Sequence, residues 1–148
     1  KPRPAPAKPW TAAQRTERSL YEFQKAVWHL AEADKILPLR AVPNACVHSA
    51  YYAMYHCACA AILAAGGAGK LKHFPESHQH VLEHFEELTL NEAGALGGSA
   101  AALSRVLGLR ELGDNGVNRN PTVADSESAV REAHAFIAAC RAKWTFSE

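Results

Sequence analysis

The run AYYAMYHCACAAILAA, from Ala50 to Ala65, is rich in alanine, tyrosine and cysteine. It follows Pro43-Asn44, a pair typical of a helix start, and ends at Gly66-Gly67, a pair typical of a helix stop. Small and apolar side chains occur on nearly every side of such a helix, so none of its faces is suited to water. We therefore predict a central helix that is the most buried element of the fold.

Four further helices are predicted around it, because apolar residues recur at the three- and four-residue steps that place them on one helical face. The first helix is predicted to begin near Thr11 and to end at Pro38, and the third is predicted to begin at Pro75 and Glu76. The fourth is predicted to run from roughly Ala95 to Leu112, with Gly113 and Gly116 at its end. The last is predicted to be capped by Asp125 or Ser126. The predicted inward residues are Leu20, Phe23, Val27, Leu30 and Leu37; His78, Val81, Phe85 and Leu88; Leu103, Val106 and Leu107; and Val130, Ala133, Ile137, Cys140 and Trp144.

The fold class follows from these elements. No segment shows sustained alternation of apolar and polar residues, and the connections are short, so we predict an all-α, up-and-down antiparallel bundle of about five helices. With 148 residues, the chain suits one domain, which we assign to residues 11–148. Residues 1–10 are rich in proline and are predicted to be a flexible arm or linker. The start without methionine suggests a longer native chain.

Composition argues against several classes of protein. Sixteen basic and fifteen acidic residues leave a net charge of +1, so any nucleic-acid binding would have to be local. The four cysteines form no CxxC pair and occur in alanine-rich stretches, as reduced core residues do. No apolar run is long enough to span a bilayer, and prolines and lysines stand where a signal peptide would be apolar. We expect a cytoplasmic protein with no membrane partner.

Four segments resemble the HEPN family. The run Tyr51 to His56 is similar to the Tyr-Tyr-Ala-Met-aromatic-His run of that family's central helix, in a branch related to toxin-antitoxin pairs. Ser77 to Phe85 resembles its Thr-His segment before an apolar helix, and Arg110 to Asn115 resembles its Arg...Ala-Asp-Tyr segment. Ala133 to Ile137 fits its closing Ala-x-x-Phe pattern. The resemblance rests on the order and spacing of the four matches taken together.

The resemblance implies a helical bundle that forms a homodimer and is often encoded beside a nucleotidyltransferase-like partner protein in toxin-antitoxin pairs. In active members an arginine and a histidine a few residues later cut RNA without a metal. No arginine here has a histidine at that distance, and Arg110 is followed by Asn115, Gly116 and Val117. Asparagine cannot exchange a proton near neutral pH, so a replacement histidine would be needed for catalysis. His48, Tyr52 and His56 follow each other at four-residue steps and could meet Arg110 across the bundle.

Each candidate residue also has a structural interpretation. Arg110 continues an apolar stripe and has Asp114 four residues on, which favours a partly buried ion pair over a phosphate site. His78 is more often a hydrogen-bonded core histidine than a functional one. The three tyrosines of the central helix could stack on bases, but core packing is the commoner use of such residues.

A metal site is the weakest candidate. His80 and His84 lie one helical turn apart, which is the spacing of two helical metal ligands, and His73 is close in sequence. A third ligand is not evident, so surface histidines without a role are favoured. The glycine pairs are not followed by the lysine and hydroxyl of a phosphate-binding loop, and we predict no cofactor.

Three functional hypotheses remain, in order of preference. The first is a non-catalytic HEPN-like binding module that acts as a homodimer with a protein, nucleotide or RNA partner, using Arg110, Asp114, Tyr52, His56 and His78. The second is a metal-independent ribonuclease toxin with an altered catalytic set, Arg110 with His56 or His48. The third is a helical binder of a metal or small ligand that uses His73, His80 and His84.

Overall fold

The computed structural model describes residues 10–66, 77–115 and 120–146, and within these ranges it shows six α-helices and no strand. The prediction of an all-α helical bundle is confirmed. A 3₁₀ turn, Leu37–Leu39, follows the first helix. The helices are α1 (Ala12–Ile36), α2 (Pro43–Ala64), α3 (His78–Thr89), α4 (Gly94–Gly97), α5 (Ser99–Asn115) and α6 (Val123–Lys143).

Helix α2 is the central element, as predicted. It packs against α1, α3, α5 and α6. Fifteen of its 22 residues are buried, so three sides of the helix lie in the core and only a narrow strip reaches the surface. Alanine at many of these positions allows the neighbouring backbones to approach closely. The predicted burial of Cys46, Cys57, Cys59 and Cys140 is confirmed, and all four are free thiols.

Helix α1 starts where the sequence predicts, because Thr11 caps it. The Thr11 hydroxyl accepts a hydrogen bond from the Gln14 backbone N–H, and the Gln14 side chain accepts one from the Thr11 backbone. Its inward face differs from the prediction, since Val27 is 43% exposed. The buried stripe runs on the other side of Phe23 and consists of small or polar residues, which an apolar count overlooks: Ser19, Glu22, Ala26 and Ala33.

The predicted fourth helix is two helices in the structure. The short α4 ends at Gly97, and α5 begins at Ser99, whose hydroxyl donates a 2.5 Å hydrogen bond to the Leu96 carbonyl. Gly97 lies so close to the Glu92 carbonyl oxygen that a Cβ would overlap it. The predicted inward residues Leu103, Val106 and Leu107 are buried. Helix α5 continues past the predicted end at Gly113, and Gly116 lies outside the described residues.

Replacing Gly97 by alanine should therefore destabilise the fold. The new methyl group would force the α4 backbone away from Glu92, and overpacking of this kind costs about 1–3 kcal/mol. Gly108→Ala is the matched control, because a Cβ there meets no atom within 4 Å and alanine is the better helix former. Urea unfolding of both variants measures the difference. Equal stabilities would mean that the α4 turn does not hold Gly97 against Glu92.

Helix α6 is capped by Thr122, so the predicted cap at Asp125 or Ser126 is wrong. Asp125 is instead the partner in a capping box: it accepts a hydrogen bond from the Thr122 backbone, and Thr122 accepts one from the Asp125 backbone. Trp144 lies just beyond the helix on extended backbone and is partly buried, so it is not part of the inward helical stripe. Phe146 then stacks on Phe23 at a centroid distance of 4.4 Å.

Helix α3 begins at His78, with Ser77 as its cap, so the predicted start at Pro75 and Glu76 lies outside the described residues. Its predicted inward residues Val81 and Phe85 are buried. Residues 1–9 of the predicted arm also lie outside the described ranges. None of the described helices combines the length and apolar character needed to cross a bilayer.

Candidate functional site

The strip of α2 that reaches the surface centres on Tyr52, which is half-buried among histidines. Measured between ring centroids, Tyr52 lies 4.7 Å from His48, 5.8 Å from His29, 5.8 Å from His78 and 6.1 Å from His56. These side chains come from α1, α2 and α3. Together with Arg110 of α5, they are called the Tyr52 cluster below.

Arg110 covers the tyrosines from the α5 side. Its guanidinium carbon lies 5.3 Å from the centroid of Tyr51 and 5.2 Å from that of Tyr52, within the range of cation–π attraction. The predicted pair with Asp114 is present, with 3.4 Å between Nε and the carboxylate oxygen. That contact lacks hydrogen-bond geometry, so the buried Nε has no hydrogen-bond partner among the described residues. The side chain is 21% exposed, and a ligand could reach it.

His78 is held by two tyrosines. Its ring stacks on Tyr55 at 4.4 Å, and its Nδ1 lies 2.6 Å from the Tyr51 hydroxyl. Burial raises the pKa of Tyr51, so this hydroxyl keeps its proton; it donates to Nδ1 or accepts from Nδ1–H according to the tautomer of His78. Burial, followed by the charges of Arg110 and His56, lowers the pKa of His78. His78 is therefore a neutral, hydrogen-bonded histidine at pH 7, as its structural interpretation predicts.

His56 is bound to a buried carboxylate, which sequence reasoning did not find. Its Nδ1 lies 2.5 Å from Oε2 of Glu22, a residue that is only 1% exposed. The other oxygen of Glu22 lies 2.8 Å from Nη2 and 3.0 Å from Nε of Arg18. Burial alone would raise the pKa of Glu22, but the hydrogen bonds and charges of His56 and Arg18 outweigh it and lower the pKa. Glu22 is thus ionised and accepts from both partners.

His29 completes the cluster from α1. Its ring lies parallel to that of His56, with centroids 5.4 Å apart and an angle of 3° between the planes. Burial and the charge of His56 lower the pKa of His29, so it is neutral at pH 7. Its Nδ1 is buried and has no hydrogen-bond partner in the described part of the chain. The exposed Trp28 meets the His29 ring edge-on at 5.0 Å.

The structure brings together most of the residues predicted as a site. His48, Tyr52 and His56 share one side of α2, and Arg110 contacts the middle member of this series, as the four-residue steps predicted. Tyr51 and Tyr55 are buried, which confirms core packing for these two. Tyr52 is the tyrosine that remains partly accessible.

Glu22 and His29 were missed, although the sequence carried a signal for them. Arg18, Glu22 and His29 follow at steps of four and seven residues, which place them on one flank of α1. A glutamate one position before the inward Phe23 is an unusual buried charge, and such charges are normally paired. The pairing partner, His56, is 34 residues away, so no local pattern identifies it.

The metal candidates that the structure describes, His80 and His84, do not form a site. Across residues 10–66, 77–115 and 120–146, no group of three histidine, cysteine, aspartate or glutamate side chains is arranged to hold a metal ion. His80 is exposed and His84 is half-buried on α3, and His73 lies outside these ranges.

No protein-family model matches the chain, and no curated protein matches it. The functional argument accordingly rests on the geometry of the Tyr52 cluster.

Proposed function

We propose that the chain is a HEPN-like helical binding module that holds a phosphate group of a nucleotide or RNA ligand on Arg110. The observation that carries this proposal is the Arg110 guanidinium, which lies over Tyr51 and Tyr52, makes no hydrogen bond at Nε among the described residues and leaves 21% of its side chain exposed. Because Nε itself is buried, a ligand oxygen meets the exposed part of the side chain first and satisfies Nε only when Asp114 moves aside. Guanidinium groups present parallel N–H donors that match phosphate oxygens.

The surroundings of Arg110 suit an anion with an aromatic part. The rings of Tyr51 and Tyr52 contact the guanidinium, so its orientation is fixed before a ligand binds. Asp114, the only acidic group paired with Arg110 in the described chain, is 46% exposed and can move aside. Tyr52 and the exposed Trp28 offer ring faces on which a base could stack.

The wider setting of the proposal comes from the family resemblance. It includes a homodimer, a possible nucleotidyltransferase-like partner protein and a toxin-antitoxin or stress-response role. Light scattering tests the dimer. Titration of the intact protein with a nucleoside monophosphate and with a short single-stranded RNA tests the ligand. Saturable binding that weakens with added salt supports the proposal, and absence of binding to either probe contradicts it.

Binding should strengthen as the pH falls. In the free protein the pKa values of His29 and His78 lie below the usual 6.5, so both rings are neutral at pH 7. For the single-stranded RNA, whose phosphodiesters keep their charge over this range, a bound phosphate raises the pKa of each ring, so protons are taken up on binding and affinity increases from pH 7.5 to pH 5.5. Calorimetric titrations in buffers of different ionisation enthalpy measure this uptake.

The lowered pKa values of His29 and His78 also affect stability, which decreases with falling pH while the affinity for phosphate increases. The unfolded chain binds protons to these histidines more readily than the folded chain, so stability falls as the pH drops below 6.5. Circular dichroism at each pH therefore has to confirm that the protein is folded. Affinity that is independent of pH in the folded range would contradict a phosphate site beside these two rings.

A second candidate function is a metal-independent ribonuclease that uses Arg110 with His56 or His48. One observation favours this candidate: both histidines contact the Tyr52 ring that Arg110 covers. The ring centroids of His48 and His56 lie 4.7 Å and 6.1 Å from that of Tyr52, and the guanidinium carbon of Arg110 lies 5.2 Å from it. RNA cleavage that persists in a chelator and is lost in Arg110→Ala would support this candidate. An inert protein that still binds RNA would leave only the binding module.

A further inference from the structure

A groove of about 780 Å³ lies where the end of α1 and the 3₁₀ turn meet α6, and it is called the α1–α6 groove below. Its volume falls in the range of small-molecule sites in proteins. It shares no residue with the Tyr52 cluster. Three apolar residues and five charged or titratable ones line it: Leu37, Pro38 and Val130; and Asp34, Arg40, Glu127, Arg131 and His134.

Four of the five polar side chains are paired with one another. Nε2 of His134 lies 2.8 Å from an Asp34 oxygen, and Nη1 of Arg40 lies 3.5 Å from a Glu127 oxygen. Arg131 is exposed, and its guanidinium makes no ion pair or hydrogen bond to a described residue. The α1–α6 groove therefore contains one arginine whose donors are available to a ligand.

The free state of Arg131 is unexpected from the sequence. Glu127 precedes it by four residues on α6, and a glutamate at this spacing ordinarily pairs with the basic residue one turn later. Glu127 instead pairs with Arg40, which comes from beyond the 3₁₀ turn. Because this pair is exposed, it contributes little to stability. Its consequence is the position of the Glu127 carboxylate, away from Arg131.

Arg40 occupies its place at a cost in backbone conformation. Its φ is 57° and its ψ is −10°, and no other non-glycine residue in the described part of the chain has a positive φ. Glycine adopts this left-handed conformation without strain, whereas a residue with a Cβ does not. A strained arginine at a position suited to glycine points to a use for its side chain.

We propose that the α1–α6 groove binds a small carboxylic acid with an apolar body, and that Arg40 is a positioning residue that keeps Glu127 off Arg131. A carboxylate matches the parallel N–H donors of the Arg131 guanidinium. The apolar body covers Leu37 and Val130, which removes apolar surface from water.

The flanking charges favour a carboxylate over a phosphate. Glu127 and the Asp34–His134 pair lie on either side of Arg131 along α6. Both acidic residues repel an anion, and they repel a phosphate dianion more strongly than a singly charged carboxylate. The ligand class of this groove therefore differs from that of the Tyr52 cluster.

Phenylacetate and phenylacetamide test the ligand class, because they share a shape and differ in charge. In ¹⁵N–¹H spectra of the intact protein, phenylacetate should shift the amide signals of Val130, Arg131 and His134 to saturation, and phenylacetamide should not. Equal responses to the two probes would overturn the proposal. So would phenylacetate that shifts no signal of the groove or shifts only those of the Tyr52 cluster.

Arg131→Ala should weaken phenylacetate binding by about tenfold, since it removes a hydrogen bond to a charged group. Lys143→Ala is the matched control, because it removes an equal charge from α6 at a half-exposed ion pair with Glu92. Little change in affinity is expected from the control. Equal losses in the two variants would mean that the ligand responds to the overall charge of α6, which contradicts a site on Arg131.

Arg40→Gly separates positioning from stability. The variant relieves the backbone strain, so its unfolding midpoint in urea should be as high as that of the wild type or higher. Its affinity for phenylacetate should fall by about twofold, because Glu127 is then free to pair with Arg131. Adding Glu127→Gln to Arg40→Gly should restore the affinity. An unchanged affinity in Arg40→Gly, or a loss that Glu127→Gln does not restore, would overturn the positioning role.

Discussion

Arg110→Ala should reduce the affinity for a phosphate-bearing ligand by about 10- to 100-fold, since a hydrogen bond to a charged group contributes roughly 1.5–3 kcal/mol. The variant removes the guanidinium that lies over Tyr51 and Tyr52, together with the Nε donor that makes no hydrogen bond to a described residue. Arg110→Lys should lose most of this affinity as well, because an ammonium group lacks the planar pair of donors. Calorimetric or fluorescence titration measures the change.

The control for this variant lies on the same helix. Arg105 is 60% exposed and pairs with Glu132 of α6 at 2.6 Å, so Arg105→Ala removes an equal charge from α5 at a surface ion pair. Only a small, salt-dependent loss of affinity is expected from it. Equal losses in the two variants would mean that α5 attracts the ligand through its overall charge and that Arg110 has no special position.

Phe85→Ala should lower the free energy of unfolding by about 3–5 kcal/mol, which is a large part of the stability of a small domain. Phe85 is fully buried, and its ring lies 5.0 Å from that of Phe136 of α6, on the side by which α3 packs into the core against α2 and α5. Urea unfolding should show a lower midpoint with an unchanged slope. The site depends on the same packing, because α3 also carries His78.

Leu90→Ala is the comparison for the packing prediction. Leu90 follows α3 directly and is 72% exposed, so its removal should leave the unfolding midpoint unchanged within error. If Phe85→Ala were as stable as Leu90→Ala, α3 would not be fixed to the core, and the position of His78 beside Tyr51 would have no structural support.

The central helix was predictable because its signal is local. Every helical turn from Ala50 to Ala65 consists mostly of small or apolar residues, and a helix of this composition is expected to be buried. Thr11 was likewise predictable, since its capping box lies within four residues. The failures came from features that depend on neighbours distant in sequence. Val27 is apolar, but it lies next to the buried face of α1 and not on it. The position of that face is set by where α2 packs against α1.

The site was half predictable for the same reason. Four-residue steps on α2 placed His48, Tyr52 and His56 on one face, and the structure adds Arg110 to that face from α5. The Glu22–His56 pair spans two helices, and a buried carboxylate in an otherwise ordinary amphipathic helix is visible only once its partner is known. The missing histidine after Arg110 led the prediction to the histidines of α2, but it gave no information on α1.

The most direct measurement of the central claim is the Nε–H signal of Arg110 in a ¹⁵N–¹H spectrum recorded while a nucleoside monophosphate is added. The Arg110 signal should shift and saturate together with those of Tyr52 and His56 of the cluster. A ligand that binds while the Arg110 Nε–H signal stays in place would show that the phosphate is held elsewhere and would contradict the account.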